Sequence, residues 1–590
     1  MNHCLSTGKL RAPAICASSL TASSVMLVTL LGLWLPEKTF GVGFWTAVAT
    51  QPSDGIGLIM LLPDGTVLAE GSGANWWELA PDGNGHYVNG QWTQRLSSTW
   101  GHQTGSTEVL KDGNVFVAGG ENGNGSGQVE IYHTGSGTWS TAVNPAYFGN
   151  IQDGNAMLMP NGRVLIEPQG ASGSYSGLTF LFDPNNNTFS QTTGAPLSSN
   201  PGYVDGLGEC SWVKLPNDNV LVIDSDQSSV GATTAEMYNP STETWQNAVT
   251  GGTVPNIWPN MTGTGKVSEM GPAFLLPNGN AIFFGGNGVT AVYNNGYWSQ
   301  SASLPSPLGQ KDAPGAMMNN GKVLLAVSPQ GVNSSVSDDN GIGPTSFYEY
   351  DYTANSGNGG FTLAPSPGGG ISGRAEGLTL LDLPDGTVLL SPGGSQLYVY
   401  QPDGSPLAAG RPNINEVQWN PNGSLHLTGT LFNGISQGAN YGDNEQMDSN
   451  WPIVEFSNGS GVYYGTTYNW SSTGVQTGGK VVTTEVNVPT AVLWYPGQWS
   501  LQVIANGIAS PAVTFYSPVW VDFNLDSFFQ FGYYDFPYYT LPQGVSAVSS
   551  GGTIAIRGDV QPSTGHETVP YTISTPMTII SVSGPSTIGN

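Results

Sequence analysis

The chain has 590 residues, of which 9% are charged, 38% hydrophobic and 10% aromatic. It is too long for one ordinary domain and apolar enough to bury a large core, which excludes a disordered chain. With 41 acidic against 14 basic side chains the net charge is −27, which repels phosphate backbones and anionic membrane surfaces and excludes nucleic acid as a partner.

In chain order, the first forty residues stand apart. Lys9 and Arg11 precede the largely apolar run VMLVTLLGLWL at 25–35, and small residues Thr39 and Gly41 follow. This is the pattern of a secretory signal, and the run is short for a membrane span. Residues 1–41 are therefore expected to be a signal peptide. The protein is expected to be secreted, extracellular or in the cell envelope, with no transmembrane domain after the signal. Cys4 and Cys16 fall in that leader and leave Cys210 alone, so no internal disulfide is expected and Cys210 reads as a small buried apolar residue.

From residue 43 onward a phrase repeats. It reads PDGTV (63–67), KDGNV (111–115), PNGRV (160–164), PNDNV (216–220), PNGNA (277–281), NNGKV (319–323) and PDGTV (384–388), seven units spaced by 42 to 65 residues. Each lies between apolar runs, the strongest short hairpin signal, and a two-residue turn of this kind needs positive φ at both central positions. Most units add a third strand with an aromatic residue, as in VEIYH (129–133) and AEMYNP (235–240), then a fourth that often starts with Trp, as at Trp92, Trp139, Trp245 and Trp298. Four antiparallel strands per repeat of about fifty residues predict kelch-type propeller blades, seven in all, over 43–411. The seventh unit ends near Tyr400 without a Trp strand, while FWTAVA at 44–49 echoes TWSTAV of the second unit. Strand 44–49 is expected to complete the last blade and close the ring, which removes the exposed edges.

Residues 412–517 carry alternating strands without Pro-Asp-Gly turns, the pattern of an immunoglobulin-like β-sandwich. Residues 518–590 contain GVSAVSSGGTIAI and ISTPMTII, resembling the opening coil of a parallel β-helix. The aromatic stretch FFQFGYYDFPYY (528–539) precedes them and reads as core, interface or a carbohydrate-stacking surface.

The repeated hairpins, the Tyr and Trp strands and the sandwich ending QVIANGIASPAVTF (502–515) resemble the galactose oxidase superfamily, a seven-bladed kelch propeller followed by an early-set immunoglobulin-like domain. The chain is also similar to bacterial exported kelch proteins with a YGDNEQM-type segment, 441–447 here. In the superfamily's copper radical oxidases, the resemblance implies a metal site of two Tyr, two His and a Cys cross-linked to one Tyr. The Tyr-His pair precedes the last blade's Pro-Asp-Gly turn by eight and seven residues; counted back from Pro384, these positions hold Glu376 and Gly377. The second His position falls at Gly442, flanked by Tyr441 and Asp443, and Cys210 lies in the fourth unit rather than the first. The six His, at 3, 86, 102, 133, 426 and 566, form no His-x-His pair. Copper is therefore not expected.

At the start of each blade's innermost strand, the position of the missing Tyr-His pair, stand Asp54, Asp153, Glu209, Glu269, Asp312 and Glu376; the second unit offers His102 and Gln103. Propeller geometry would gather these around one channel mouth, where carboxylates need protons, arginines, N–H donors or a cation. Arg374 and Lys311 are nearby ion-pair partners, and Asp443, Glu445 and Asp448 could add oxygens from the sandwich loop. Calcium is the cation such oxygens suit, with Glu209, Glu269 and Glu376 as ligands. The bland reading of the same acids is that each accepts N–H bonds from a neighbouring loop and fixes blade spacing. The expected function is ligand binding, with carbohydrate or a cell-surface ligand at a mouth formed by Asp153, Glu209, Glu269, Asp312, Glu376, Arg374, Tyr441 and Asp443. The alternatives are a divergent galactose or glyoxal oxidase-like or carboxylate-based enzyme, and a structural surface protein.

Overall fold

The computed structural model describes residues 42–588, except 121–122, 126, 147, 152–153, 169–177, 194–209, 224–234, 258–269, 331–341, 442–447, 526–527, 559–562 and 566–570. Seven sheets each present four antiparallel strands in meander order, consecutive in the chain in all but the last. The first runs through Ile59–Leu61, Val67–Glu70, Trp76–Ala80 and Gln91–Arg95. Blades 2 to 6 begin at Ser106–Val109, Ala156–Leu158, Trp212–Lys214, Ala273–Leu275 and Pro314–Met317. Blade 7 takes Thr379–Asp382, Val388–Ser391 and Tyr398–Gln401 from one end of the ring and Phe44–Ala47 from the other. Phe44 pairs with Gln401 and Ala47 with Tyr398. A β-sandwich-like domain follows, so the chain is all-β.

One packing motif explains why the repeats make blades. The third-strand aromatic stands directly opposite a fourth-strand aromatic: Tyr132 on Trp139, Phe182 on Phe189, Tyr238 on Trp245. The series continues with Tyr293 on Trp298, Tyr350 on Phe361 and Tyr400 on Trp45. Ring centroids lie 4.9–5.3 Å apart in these pairs, the spacing at which tilted aromatic pairs add stability beyond their buried area. Trp45 thus supplies, from the far end of the propeller sequence, the ring that the seventh unit lacks.

The hairpins differ from the two-residue turns expected. Only the glycine has positive φ (77° at Gly65, 85° at Gly113, 81° at Gly386), and Asp218 takes its place in blade 4 at 66°. The preceding Asp or Asn stays out of that region because its side chain accepts the backbone N–H two residues on, as Asp64 does from Thr66 at 3.0 Å and Asp385 from Thr387 at 3.2 Å. The result is a three-residue loop, Pro-Asp-Gly, closed by Gly65 N–H to Leu62 O (2.9 Å) and Leu62 N–H to Thr66 O (2.8 Å).

Each blade is tied to the next beside its innermost strand. His102 N–H donates to Glu70, Ser106 Oγ to Gly154 O, Asn155 Nδ2 to Cys210 O and Ser211 Oγ to Gly271 O. Asp312 N–H then reaches Met270 O, Ala375 N–H reaches Ser328 Oγ, and Thr379 Oγ1 reaches Gly57 O. These bonds cross all seven junctions and satisfy polar groups that the ring buries.

The second domain is a curled sheet of eight strands, including Asn413–Trp419, Leu425–Thr430, Ile453–Asn458 and Gly497–Ala505. Its faces close on a core with Leu427, Phe456, Val482, Trp499, Leu501 and Phe515. It rests on the hairpin-turn end of the ring: Thr467 N–H meets Pro63 O, Asn469 N–H meets Lys111 O and Gln476 Nε2 meets Leu276 O. A connecting stretch from this domain enters the ring, where Ala439–Tyr441 pairs antiparallel with the innermost strand of blade 6. Beyond it, Val519–Val521, Thr553–Arg557 and Thr578–Val582 form a parallel sheet backed by helix Leu541–Ala547. Among the described residues no helix is long and apolar enough to cross a membrane.

Candidate functional site

Because the innermost strand of each blade runs toward its hairpin turn, the connections that precede it open at the opposite end, away from the sandwich-like domain. There the loops before the innermost strands of blades 1 and 2 meet the loops after the second strands of blades 1 and 7. They enclose a cleft of about 260 Å³ lined by Gly55–Leu58, Glu70, Gly71, Ser72, Gln103, Thr104 and Gly393. Four of the lining residues are glycines, which let the backbone face the space, and Ser72, Gln103 and Thr104 add polar side chains.

The buried layer beneath holds the cleft in shape. Glu70 is 1% exposed and takes the N–H of His102 at 2.9 Å. The His102 ring is sealed between Gly119 O (Nδ1, 2.8 Å) and the Glu130 carboxylate (Nε2, 3.1 Å). Glu130 also takes N–H bonds from Thr99 and Trp100. Although burial alone would raise its carboxyl, these donors hold it below the usual carboxylate range. This network fixes the segment 99–104 and hence Gln103 and Thr104. Thr104 has φ 61°, a left-handed conformation that a β-branched residue adopts only when its surroundings enforce it.

The three described acids, Asp54, Asp312 and Glu376, stand in the connections that precede the innermost strands rather than on the strands themselves. Asp54 lies five residues before Ile59, Asp312 two before Pro314, and Glu376 in the short 3-10 turn Ala375–Gly377. The chain there turns through glycines and tight bends instead of alternating, so no strand forms until the next apolar residues. Asp54 accepts from Asn75 Nδ2 (3.0 Å) and Trp77 Nε1 (3.1 Å), and the Trp77 bond chiefly holds its carboxyl below the usual range. Asp312 is 4% exposed at φ 46°. Glu376 forms an ion pair with Arg374. Asp153, Glu209, Glu269, Asp443, Glu445 and the side chain of Tyr441 lie outside the described residues. Among the described residues no three His, Cys, Asp or Glu side chains gather as a metal site. His86 lies 3.8 Å from Asp385, His133 bonds Ser140 and His426 bonds Glu485.

A second ionisable group stands at the turn end of the channel; sequence reasoning named only Asp448 among its members and expected it at the mouth, whereas it packs here against Gln437, Glu108 and Lys214. Glu108 and Lys214 project from the innermost strands of blades 2 and 4, Asp382 from that of blade 7, and Asp448 from the stretch that the second domain inserts. Lys214 Nζ donates to Thr473 O at 3.2 Å and its N–H to Gln437 Oε1 at 3.2 Å. Gln437 Nε2 donates to Asp448 at 3.2 Å, and Ser449 Oγ donates to Asp382. Burial pushes Asp382 up to about 7 and Asp448 up to about 6, and pushes Glu108 well above the ordinary range. Glu108 and Asp448 are hydrogen-bonded to each other, so that one proton serves both. This end of the channel is closed and ionic. The signal was a charged residue inside an apolar strand, as in STEVLKDG and WVKLPNDNV, in a chain with few charges.

No family model matches the chain, and no curated protein matches it. Among solved structures it is similar to a fungal alcohol oxidase of the AA5 family in complex with copper. That likeness spans 80% of this chain and 99% of that one, at 15% sequence identity and a TM-score of 0.45.

Proposed function

We propose that the chain is an exported binding protein whose channel mouth takes a neutral carbohydrate unit at or outside the cell surface. The observation that supports this reading is the cleft of about 260 Å³ between blades 1, 2 and 7, whose lining combines four glycines with Ser72, Gln103 and Thr104. Ser72 and Thr104 offer hydroxyls, Gln103 an amide with donors and an acceptor, and Glu70 a carboxylate edge. Alternating donors and acceptors match the hydroxyls of a sugar ring. No lysine or arginine lines the space, and a net charge of −27 disfavours phosphorylated or acidic ligands. The volume lies just below the range of drug-sized pockets, about 300–1,000 Å³, which favours one sugar residue or the end of a chain.

The test is calorimetric titration of the full chain with a panel of neutral mono- and oligosaccharides. Binding that saturates at one site and weakens in Gln103→Ala supports the reading. Binding that is unchanged in Gln103→Ala, or no binding by any neutral sugar up to millimolar concentration, overturns it.

A further inference from the structure

Where the second domain enters the ring, the two parts meet across a cavity of about 10 Å³. The ring side is lined by Glu108, Leu158 and Lys214, from the innermost strands of blades 2, 3 and 4. The other side is lined by Trp451, Thr473 and their neighbours in the second domain. Every lining residue is at most 5% exposed, so the space is cut off from bulk solvent.

Most polar groups around this space are satisfied within the protein. Asn433 Nδ2 donates to Asn450 O at 3.0 Å, Asn450 Nδ2 to Thr473 O at 3.3 Å and Trp470 Nε1 to Thr467 Oγ1 at 3.1 Å. Lys214 Nζ also donates to Thr473 O, at 3.2 Å. Three atoms of the lining residues are left over. They are Glu108 Oε1 from the ring, and Trp451 Nε1 and Thr473 Oγ1 from the second domain, each buried without a hydrogen-bond partner in the protein. Trp451 lies flat on Trp470, with ring planes 3° apart and centroids at 5.8 Å, so its indole N–H cannot swing to another acceptor. One buried polar atom without a partner is costly, and three around a single space are a shared demand for a bridging group.

Size and chemistry decide the occupant. About 10–15 Å³ is the least room that holds a water molecule, and a buried water needs about two to four polar partners. The adjoining gap between Met60, Thr107, Glu108, Asp448 and Trp451 has no such room. A cation is disfavoured because the Lys214 ammonium and the Trp451 indole both bring N–H donors to the space, and an anion is disfavoured by the Glu108 carboxyl. Water meets all three demands: it accepts from Trp451 Nε1, donates to Glu108 Oε1, and does either with the Thr473 hydroxyl. We propose that this cavity is the binding site of one ordered water molecule, which joins Glu108 of blade 2 to Trp451 and Thr473 and so fastens the second domain to the ring. Its partners come from both sides, so the site exists only where the two parts meet.

Thr473→Val in the full chain separates a wet cavity from a dry one by the sign of its effect. Valine keeps the volume and removes only the hydroxyl, while the Thr473 carbonyl and its two donors stay. With water bound, a hydrogen bond is lost, and the folding equilibrium constant should fall about fivefold or more in chemical denaturation. In a dry cavity, removing an unmet hydroxyl leaves stability equal or higher. A crystal structure of the full chain gives the second readout. A solvent peak is expected about 2.7–3.2 Å from Glu108 Oε1, Trp451 Nε1 and Thr473 Oγ1. Three results would overturn the proposal: a Thr473→Val chain as stable as the parent or more so, no density between the three atoms in a crystal structure that shows other buried waters, or an anomalous signal there after soaking in rubidium, which would mark a monovalent cation instead.

Discussion

In the turn-side half of the channel, Glu108, Lys214, Asp382 and Asp448 are each at most 4% exposed and packed against a stretch from the second domain. At the opposite end, Ser72, Gln103 and Thr104 remain partly or fully exposed around a space of about 260 Å³. The same innermost strands serve both ends, so the contrast arises from what covers them. Charges that lose water must satisfy one another, and such a group resists change because removing one member strands the rest. Small polar groups around a water-filled cleft lose little when altered and are free to serve a ligand. The buried charged end is thus read as the structural one, and the more open rim is the end proposed to take a ligand.

The largest effect should come from Lys214→Met. It leaves Glu108 and Asp448 without their cation inside the ring and should cost about 3–5 kcal/mol in chemical denaturation near neutral pH. A loss below about 1 kcal/mol would mean that this end is solvated, and the contrast would fail.

Acidity gives the next largest effect. Asp382 and Asp448 carry folded-state values of about 7 and about 6, above the 3.9 of an unfolded Asp. The folded chain therefore holds protons that the unfolded chain releases. Their contribution is complete below about pH 4 and is lost as pH rises through 6 and 7. Unfolding free energy should fall by on the order of 2–4 kcal/mol between pH 5 and pH 8. In Asp382→Asn, which still accepts from Ser449 Oγ, roughly half of that slope should vanish. A rise in stability over this window would contradict the sign.

Most of the ring was legible from local chemistry. Pro-Asp-Gly turns fix where strands reverse, and an aromatic residue on each outer strand shows which strands face each other. The Trp of FWTAVA could therefore be assigned to the last blade across more than 350 residues of sequence. Turn type was not legible, because the Asx bond from Asp64 to Thr66 decides it and the dipeptide alone does not. Of the expected mouth, the three described acids, Asp54, Asp312 and Glu376, precede the innermost strands of their blades. What those residues do there was not legible. Whether Asp54 points at a ligand or at Trp77 depends on a partner 23 residues away, in the third strand of the same blade. The plug was hidden for a different reason. Ala439–Tyr441 and Asp448 come from a stretch without periodicity, and nothing local says that it threads a ring.

At the open rim the effects should be smaller and should appear in binding rather than folding. Gln103→Ala is expected to weaken carbohydrate binding about tenfold, roughly 1.4 kcal/mol, and to change unfolding free energy by no more than about 0.5 kcal/mol. Titration and denaturation of the same preparation separate the two. A variant that loses stability without losing affinity would place Gln103 with the structural groups.

The smallest effect tests whether the rim is held under strain. Thr104 sits at φ 61° beside the cleft, and its hydroxyl donates to Gln103 O at 2.5 Å. A β-branched residue in the left-handed region costs roughly 1 kcal/mol or more. Glycine removes that cost but gains freedom in the unfolded chain, worth about 0.4–1 kcal/mol in the other direction. Thr104→Gly should therefore change stability by no more than about 0.5 kcal/mol while binding weakens, because the loop no longer presents Gln103 in one conformation. If stability is unchanged and affinity is unchanged as well, the left-handed kink is only a way for the chain to turn into blade 2, and the polar groups that matter at the mouth lie on the other two blades.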